Sequence, residues 1–270
     1  MADVQTIGVL GCGNMGGALV RALVSSGTAK AENILVHDTL PGAMEALKKD
    51  LGVEPVVEAH DLPNRSDVLI LAVKPQIFHH VAPGLKPRSG PKEKVVVSVM
   101  AGVTSETIRS YFPEDWHVVR VMPNLPLSVG EGATAIETDG QGEATLLLVE
   151  KLFQAAGRTV RVASHQMDAV TGLSGSGPAY VFEFLEGLIL AGVKVGLTRE
   201  ASSTLVLQTA KGALKLLESG KDGPSQWTAK VCSPGGTTIH GVHVLETAGF
   251  KGILMAAVEA AAKRSRELSA

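Results

Sequence analysis

Hydrophobic and polar positions follow two successive patterns along this chain of 270 residues. In the first part, short apolar runs rich in Val and Ile recur, each bounded by Gly, Pro, Asn or Asp. Stretches with the periodicity of amphipathic helices separate them. Short continuous apolar runs are typical of strands that are buried on both faces of a parallel sheet. The pattern predicts strands over residues 6–10, 34–37, 67–73, 94–99, 117–122, 133–136 and 159–162, and helices over 15–25, 41–51 and 143–155.

The pattern changes after residue 164, where strand-like runs become rare and long segments rich in Ala, Leu and Val appear. Gly and Pro separate these segments, which predicts helices over 178–195, 199–217, 238–247 and 252–268. We therefore predict an α/β fold with an N-terminal doubly wound Rossmann domain, residues 1–164, and an all-helical domain, residues 165–270. Helices that are apolar on more than one face predict dimerisation through the second domain.

Composition and charge narrow the class of protein. Apolar residues make up 45% and charged residues 19%, which favours a large core over disorder. The net charge is −2 with mixed signs, so we expect neither a nucleic-acid partner nor a membrane partner. We see no secretory signal, and no uninterrupted apolar run reaches the roughly 20 residues that cross a bilayer. The two cysteines lack metal-ligand spacing, and we expect a cytoplasmic protein without a metal site.

A G-x-G-x-x-G motif occupies residues 11–16, between the first predicted strand and the first predicted helix. In this context Gly11 allows a tight turn, Gly13 lets the backbone approach a pyrophosphate, and Gly16 lets the helix pack on the strand. The free N–H groups of the helix N-terminus would bind the phosphates. The alternative is an ordinary glycine-rich turn, but the alternation of strands and helices favours dinucleotide binding.

Three further turns follow predicted strands, where ligands of open α/β sheets bind. Asp38 ends the second strand, where a carboxylate can accept hydrogen bonds from the adenosine ribose and repel a 2′-phosphate, which favours NADH over NADPH. The alternative is a helix-capping or turn aspartate before Pro41. Residues 72–75 and 121–124 end two later strands, and Asn124 could reach the nicotinamide. For both, a plain strand-ending turn remains the alternative.

Two small-residue segments stand out in the helical part. Residues 173–180 precede a long helix, and a tight turn or close subunit packing explains them better than catalysis. Residues 232–239 place glycines and hydroxyls before another helix, where N–H groups and Ser or Thr hydroxyls can form a carboxylate-binding nest. The alternative is a capping motif for that helix, and both interpretations can hold together.

Taken in order, the motifs at residues 11–16, 72–75, 168–180 and 233–239 resemble those of pyrroline-5-carboxylate reductases over nearly the whole chain. The resemblance implies reduction of Δ1-pyrroline-5-carboxylate to L-proline with NADPH or NADH. It also implies a homodimer through the C-terminal domain, with a ring of dimers as a possible larger assembly. The chain departs from many relatives at Asp38, since those carry Ser, Arg or Asn suited to a 2′-phosphate. We therefore favour NADH.

The motif residues give a complete set of predicted sites. Thr238 is the predicted catalytic residue, and its hydroxyl would orient the imine nitrogen and relay a solvent proton. The predicted substrate-binding residues are Val231, Ser233, Gly235, Gly236, Thr237 and Thr238. The predicted cofactor-binding residues are Gly11, Cys12, Gly13, Asn14, Met15, Gly16, Asp38, Ala72, Val73, Lys74, Pro75, Ala101 and Asn124.

Two other functions compete with this interpretation. A β-hydroxyacid dehydrogenase shares the two-domain plan. Such enzymes typically place a lysine on a helix at the domain junction, where it acts as the general acid, and residues 173–193 contain no lysine. A nucleotide-sensing or scaffold protein could keep the fold without catalysis. The intact loop at residues 233–238 argues against that class.

Overall fold

The structure is a computed structural model that describes residues 6–86 and 94–269. The predicted domains also include residues 1–5, 87–93 and 270, which lie outside the described residues. The described chain divides into two compact units. Unit 1 comprises the residues up to Ser176 together with those from Ala260 onwards, and unit 2 comprises Gly177–Glu259.

Unit 1 is built on a sheet whose strands follow the order β3-β2-β1-β4-β5-β6-β7-β8. The strands are β1 (Ile7–Leu10), β2 (Ile34–His37), β3 (Glu54–Pro55), β4 (Val68–Leu71), β5 (Val95–Ser98), β6 (His117–Met122), β7 (Gly132–Glu137) and β8 (Gly157–Val162). Strands β1 to β6 are parallel, and the strand order reverses between β1 and β4. This is the doubly wound Rossmann arrangement, as the sequence predicts, and ligands bind at such a reversal.

Two features of the sheet differ from the sequence prediction. β3 is an additional edge strand of two residues, too short and too polar to form an apolar run. β7 runs antiparallel to β6, whereas β8 returns to a parallel pairing with β7. The link of residues 123–131 explains the reversal, because a parallel crossover needs about a dozen residues or more.

The helices of unit 1 cover both faces of this sheet. They are α1 (Asn14–Ser25), α2 (Pro41–Leu51), α3 (Leu62–Arg65), α4 (Pro75–Val81), α5 (Ser105–Arg109), α6 (Glu143–Gln154) and α7 (Met167–Val170). Pro41 and Pro75 open α2 and α4, where a missing N–H costs nothing. Gly52 ends α2 in the left-handed conformation, with φ of 81°.

Two hydrophobic clusters lie on the two faces of the sheet, and successive strand residues alternate between them. In β4, Val68 and Ile70 join one cluster, while Leu69 and Leu71 join the other. Successive side chains of a strand point to opposite faces, so a strand covered on both sides must be apolar throughout. This explains why the continuous apolar runs located these strands correctly.

Unit 2 is entirely helical. Its helices are α8 (Gly177–Lys194), α9 (Arg199–Glu218), α10 (Pro224–Val231), α11 (Thr237–Thr247) and the first part of α12 (Phe250–Ser269). α10 was not predicted, since it is only 8 residues long and lies among Gly and Pro residues. α8 and α9 pack closely at Gly192, where a Cβ would lie 2.1 Å from Oγ of Ser202.

Unit 2 lacks a hydrophobic core of its own. Across residues 177–259, all of which the structure describes, no apolar side chain is buried. Phe182 is 59% exposed and Val195 is 79% exposed, and many Leu and Val side chains resemble them. Apolar surface on this scale is typical of a protein interface.

The helical stretch Ser164–Lys194 also has the length and apolar composition of a membrane-crossing helix. α11 and α12 together pass the same test only as one bent span. Glu183 and Glu186 interrupt the apolar run of this stretch, so an uninterrupted apolar run does not reveal it in the sequence. A helix that a partner subunit covers has the same composition, so this stretch is weak support for a membrane protein.

The compact units and the predicted domains divide the chain at different places. Residues 165–176 belong to unit 1, and Met167 among them is buried. Directly before them, Ser164 donates a hydrogen bond of 2.6 Å to Glu137. The predicted boundary between residues 164 and 165 marks a change in sequence pattern. It stays a prediction about the domains of the assembled protein.

Candidate active site

The turns after β1, β2, β4 and β5 lie at one edge of the sheet. Leu10 pairs with His37 on one side and with Leu71 on the other, and Leu71 pairs with Ser98. The four strands therefore end in register. The glycine-rich turn, Asp38 and the turn that begins at Ala72 are thereby brought together, as the sequence predicts for a dinucleotide site.

Gly11 and Gly16 are required by the fold itself. Gly11 has φ of +100°, and a Cβ at this position would lie 2.5 Å from the carbonyl oxygen of Ala72. A Cβ on Gly16 would lie 2.0 Å from the carbonyl oxygen of Gly11. These distances rule out side chains at both positions, so the tight turn and the close packing of helix on strand have the geometry that the motif predicts.

Gly13 is different, because no contact among the described residues requires a glycine there. It is the N-cap of α1 with ordinary extended backbone angles, φ −69° and ψ −162°, and without a side chain it makes no side-chain cap. A Cβ at this position would meet no described atom within 4 Å. A concavity of about 370 Å³ is lined in part by Cys12, Gly13 and Asn14. The first-turn N–H groups of α1 and this open space fit a pyrophosphate.

Asp38 connects the end of β2 to the glycine-rich turn. One carboxylate oxygen accepts a hydrogen bond from the backbone N–H of Cys12 at 2.7 Å, and the other accepts one from Leu40 at 2.8 Å. The second bond makes Asp38 a turn aspartate, which was one alternative of the sequence analysis. A carboxylate has about four acceptor sites in all, so ribose hydroxyls can still bind to it.

Cys12 is buried within the turn. Burial raises the pKa of its thiol to about 12, and the neighbouring Asp38 carboxylate adds to the shift. The thiol is therefore neutral at physiological pH. It acts as a small apolar side chain beneath the turn and not as a nucleophile.

The other predicted cofactor residues occupy the turns that follow β4 and β5. The backbone N–H of Ala72 donates to the carbonyl of Leu10 at 2.8 Å. Lys74 is exposed at the N-cap of α4, and Pro75 opens that helix. Ala101 is exposed in the turn after β5. Their positions at the carboxyl edge are compatible with cofactor contacts, which stay predictions.

Asn124 holds two neighbouring segments together. Its Oδ1 accepts a hydrogen bond from the N–H of Ala133 at 2.9 Å, and its Nδ2 donates to the carbonyl of Ser174 at 3.2 Å. Ser174 belongs to a π-helical segment, Thr171–Gly175, and such segments are frequent at functional sites. A contact between Asn124 and the nicotinamide stays a prediction, since its amide already has these protein partners.

In unit 2, the predicted substrate loop joins α10 to α11. Val231 is the last residue of α10, and the loop turns sharply through Ser233, Pro234, Gly235 and Gly236. The N–H of Gly236 donates to the carbonyl of Ser233 at 3.0 Å, and Gly235 has φ of +68°. Proline followed by a glycine of positive φ defines a type II turn.

The loop ends at the N-terminus of α11. Gly236 is the N-cap of this helix, and no side chain makes a capping hydrogen bond at this position. Thr237 is exposed and Thr238 is half-buried in the first turn. Their free N–H groups, the positive end of the helix dipole and two hydroxyls form a suitable environment for a carboxylate.

One pair of residues in unit 1 was missed by the sequence analysis. Ser265 near the end of α12 is 5% exposed, and its Oγ donates a hydrogen bond of 2.6 Å to Asp168 Oδ1. Asp168 was part of a motif, but Ser265 lies 97 residues away in sequence. The apolar periodicity of a helix does not reveal a buried hydroxyl. The one signal in the sequence for this contact is a serine among the small residues of α12.

Two family models match the chain. Residues 164–268 match the model described as pyrroline-5-carboxylate reductase dimerisation. Residues 6–102 match the model described as NADP oxidoreductase, coenzyme F420-dependent. The first contains the 233–238 loop, and the second contains the glycine-rich turn.

The chain is similar to curated and structurally solved reductases over its whole length. It is 41% identical to the pyrroline-5-carboxylate reductase of Synechocystis over 97% of both chains. It shares 32% identity and a TM-score of 0.92 with the Coxiella burnetii structure, covering 99% of this chain and 100% of that one. The Plasmodium falciparum structure with NADP bound has 32% identity and a TM-score of 0.87 over 100% of both chains.

Proposed function

The chain belongs to the pyrroline-5-carboxylate reductase family, and we propose how its residues divide the family's reaction. It is an NAD(P)-dependent oxidoreductase that reduces the cyclic imine of Δ1-pyrroline-5-carboxylate to L-proline, the final step of proline biosynthesis. The observation that carries this function is the near-full-length identity to curated reductases. The glycine-rich turn and the 233–238 loop then receive separate roles.

The glycine-rich turn is the proposed pyrophosphate site. Gly11 and Gly16 shape the turn, Gly13 leaves room for the phosphates, and the N–H groups from Asn14 onwards donate to them. When bound, the reduced nicotinamide supplies the hydride for the imine carbon. The remaining predicted residues of the carboxyl edge would position the cofactor.

The 233–238 loop is the proposed substrate site. The N–H groups and hydroxyls of Ser233, Gly235, Gly236 and Thr237 would bind the substrate carboxylate, with Val231 lining the site. The Thr238 hydroxyl would donate to the ring nitrogen or orient it. Hydride addition breaks the C=N π bond, and a solvent proton relayed through this hydroxyl completes the secondary amine. Threonine is a poor acid near neutral pH, so it acts as a relay and not as the sole proton source.

A direct assay tests this function. Purified protein is mixed with pyrroline-5-carboxylate and reduced cofactor, and cofactor oxidation is followed together with proline formation. We expect one proline for each cofactor oxidised. A protein that binds cofactor but oxidises none in the presence of the imine would be a sensor or scaffold. Turnover of a β-hydroxyacid with oxidised cofactor, and none of the imine, would support the dehydrogenase alternative.

The proposed preference for NADH over NADPH rests on Asp38. Its carboxylate is oriented by Cys12 and Leu40, next to the turn that would bind the pyrophosphate. A negative charge held there repels a ribose 2′-phosphate but can accept ribose hydroxyls. No arginine occurs within residues 37–47 to neutralise such a phosphate. We propose NADH as the preferred cofactor, although a solved relative contains NADP.

We expect a higher kcat/KM with NADH than with NADPH, and Asp38→Asn is the sharpest test. The amide keeps an acceptor for the N–H of Cys12 or Leu40 but removes the charge. The ratio of the two kcat/KM values should move towards NADPH by roughly 5- to 150-fold, about 1–3 kcal/mol for one charged contact. Asp38→Ser should move it in the same direction. A wild-type preference for NADPH would leave Asp38 only its turn-forming role.

Assembly and location complete the proposal. Dimerisation through the C-terminal domain is the family property that explains the exposed apolar helices of unit 2. We further propose a ring of dimers as the larger assembly. A cytoplasmic location is supported by Cys12 and Cys232, which are free thiols, because disulfides are rare in that compartment.

A further inference from the structure

We propose that Asp168 and Ser265 are positioning residues for the hydride-transferring end of the cofactor. The proposal rests on the reductase function stated above. It assigns a role to the end of α12, which no motif of the sequence indicated. Neither residue is proposed to touch the cofactor. They act indirectly, by holding in position the two segments that follow β5 and β6.

The starting observation is a partly buried polar contact between distant parts of unit 1. Ser265 on α12 donates to the Asp168 carboxylate at 2.6 Å, and Ser265 is 5% exposed. Hydrogen bonds to charged groups are stronger than neutral ones, and leaving the buried Ser265 hydroxyl without an acceptor is costly. The contact therefore fixes the end of α12 against α7 and the π-helical segment Thr171–Gly175 that follows it.

The π-helical segment in turn contacts the end of β6. Ser174 accepts hydrogen bonds from the Asn124 amide at 3.2 Å through its carbonyl and at 3.4 Å through its Oγ. Gly175 lies so close to Met122 that a Cβ would be 2.7 Å from the methionine Cε. The segment thus packs against the end of β6 and bonds the amide of Asn124.

The end of α12 also contacts the turn after β5. Gly102 has φ of +75°, and a Cβ on it would lie 3.4 Å from the carbonyl oxygen of Leu268. Leu268 is three residues beyond Ser265 on the same helix. The Asp168–Ser265 bond is therefore linked to two segments at the carboxyl edge of the sheet. It is linked to the turn after β5 through Leu268, and to the end of β6 through Ser174.

These two strand ends belong to the half of the sheet beyond the reversal between β1 and β4. A dinucleotide spans that reversal, so the half with Asp38 would take the adenosine and the half with β5 and β6 the nicotinamide. Displacing the reacting atoms by about 1 Å can slow a reaction by roughly 100-fold. Loss of the bond should therefore slow hydride transfer while leaving adenosine contacts intact.

The test compares Ser265→Ala, Asp168→Ala and the double variant with the wild type. kcat, cofactor KM, thermal midpoint and the primary isotope effect with 4-deuterated cofactor are measured for each. We expect kcat to fall by roughly 10- to 100-fold, with a larger isotope effect and little change in cofactor KM. The two single variants should share this effect, so the double variant should be no slower than either.

Two control variants accompany them. Asp168→Asn keeps an oxygen acceptor for Ser265 and should restore most of kcat. Arg264→Ala alters the neighbouring residue of α12, whose side chain is 65% exposed and pairs only with Glu267 among the described ion pairs. It should leave kcat and the isotope effect unchanged.

The outcomes distinguish a positioning role of this hydrogen bond from a structural one, and both from the loss of the reductase function. A lower thermal midpoint with wild-type kcat and isotope effect would make the bond merely structural and overturn the proposal. A wild type without imine-dependent cofactor oxidation would refute the reductase function instead. If Ser265→Ala does not fold, Asp168→Ala removes the same hydrogen bond from the other partner. Wild-type kcat and isotope effect in that variant would also overturn the proposal.

Discussion

Replacing Gly13 by valine is expected to raise the Kd for reduced cofactor by roughly 100-fold or more, the equivalent of two lost charge-assisted hydrogen bonds. The valine would occupy the open space beside the first turn of α1, where a pyrophosphate must approach. Fluorescence titration of the reduced nicotinamide measures this Kd directly. The substitution should not disturb the fold, because a Cβ at Gly13 meets no described atom within 4 Å.

Gly142→Val is the matched control for this variant. Gly142 is also the N-cap of a helix, α6, with extended backbone angles of φ −78° and ψ 152°, and a Cβ there likewise meets no described atom within 4 Å. It precedes α6 after the antiparallel strand β7, away from the glycine-rich turn in sequence. Both variants should keep the wild-type thermal midpoint, and only Gly13→Val should lose cofactor affinity. Unchanged affinity in Gly13→Val would place the cofactor elsewhere.

Replacing Thr238 by alanine is expected to lower kcat by roughly 10- to 1,000-fold, by analogy with the loss of one oxyanion-hole donor. The hydroxyl would contact the ring nitrogen most strongly in the transition state, so kcat should fall more than substrate affinity. The N–H groups of the turn and of the α11 N-terminus remain in place. Steady-state kinetics at saturating imine measure the effect.

Two neighbouring variants sharpen this test. Thr238→Ser keeps a hydroxyl and should retain most of kcat. Thr237→Ala removes the adjacent hydroxyl, which is assigned to the substrate carboxylate, and should raise KM more than it lowers kcat. A Thr238→Ala enzyme with normal kcat and only a higher KM would make Thr238 a binding residue.

The sequence predicted the local backbone geometry of the glycine-rich turn more securely than the roles of side chains. Gly11 and Gly16 were predicted for a turn and for close packing, and the structure gives a distance that excludes a side chain at each. Such requirements are local, so a short motif records them. Asp38 was assigned to the ribose or to a turn, and its bond to Cys12 appears in neither interpretation. That bond joins two strand ends and depends on the sheet.

What the sequence by itself determined was the apolar strands and the three longest helices of unit 1, together with the helical character of unit 2. The physical reason is that burial on both faces demands continuous apolar runs, and amphipathic periodicity demands one packed face. Tertiary structure decided the reversed direction of β7, the pairing of the two-residue β3, and the packing of the end of α12 with unit 1. It also paired Ser265 with Asp168. These features depend on contacts between residues far apart in the chain, which composition and periodicity do not encode.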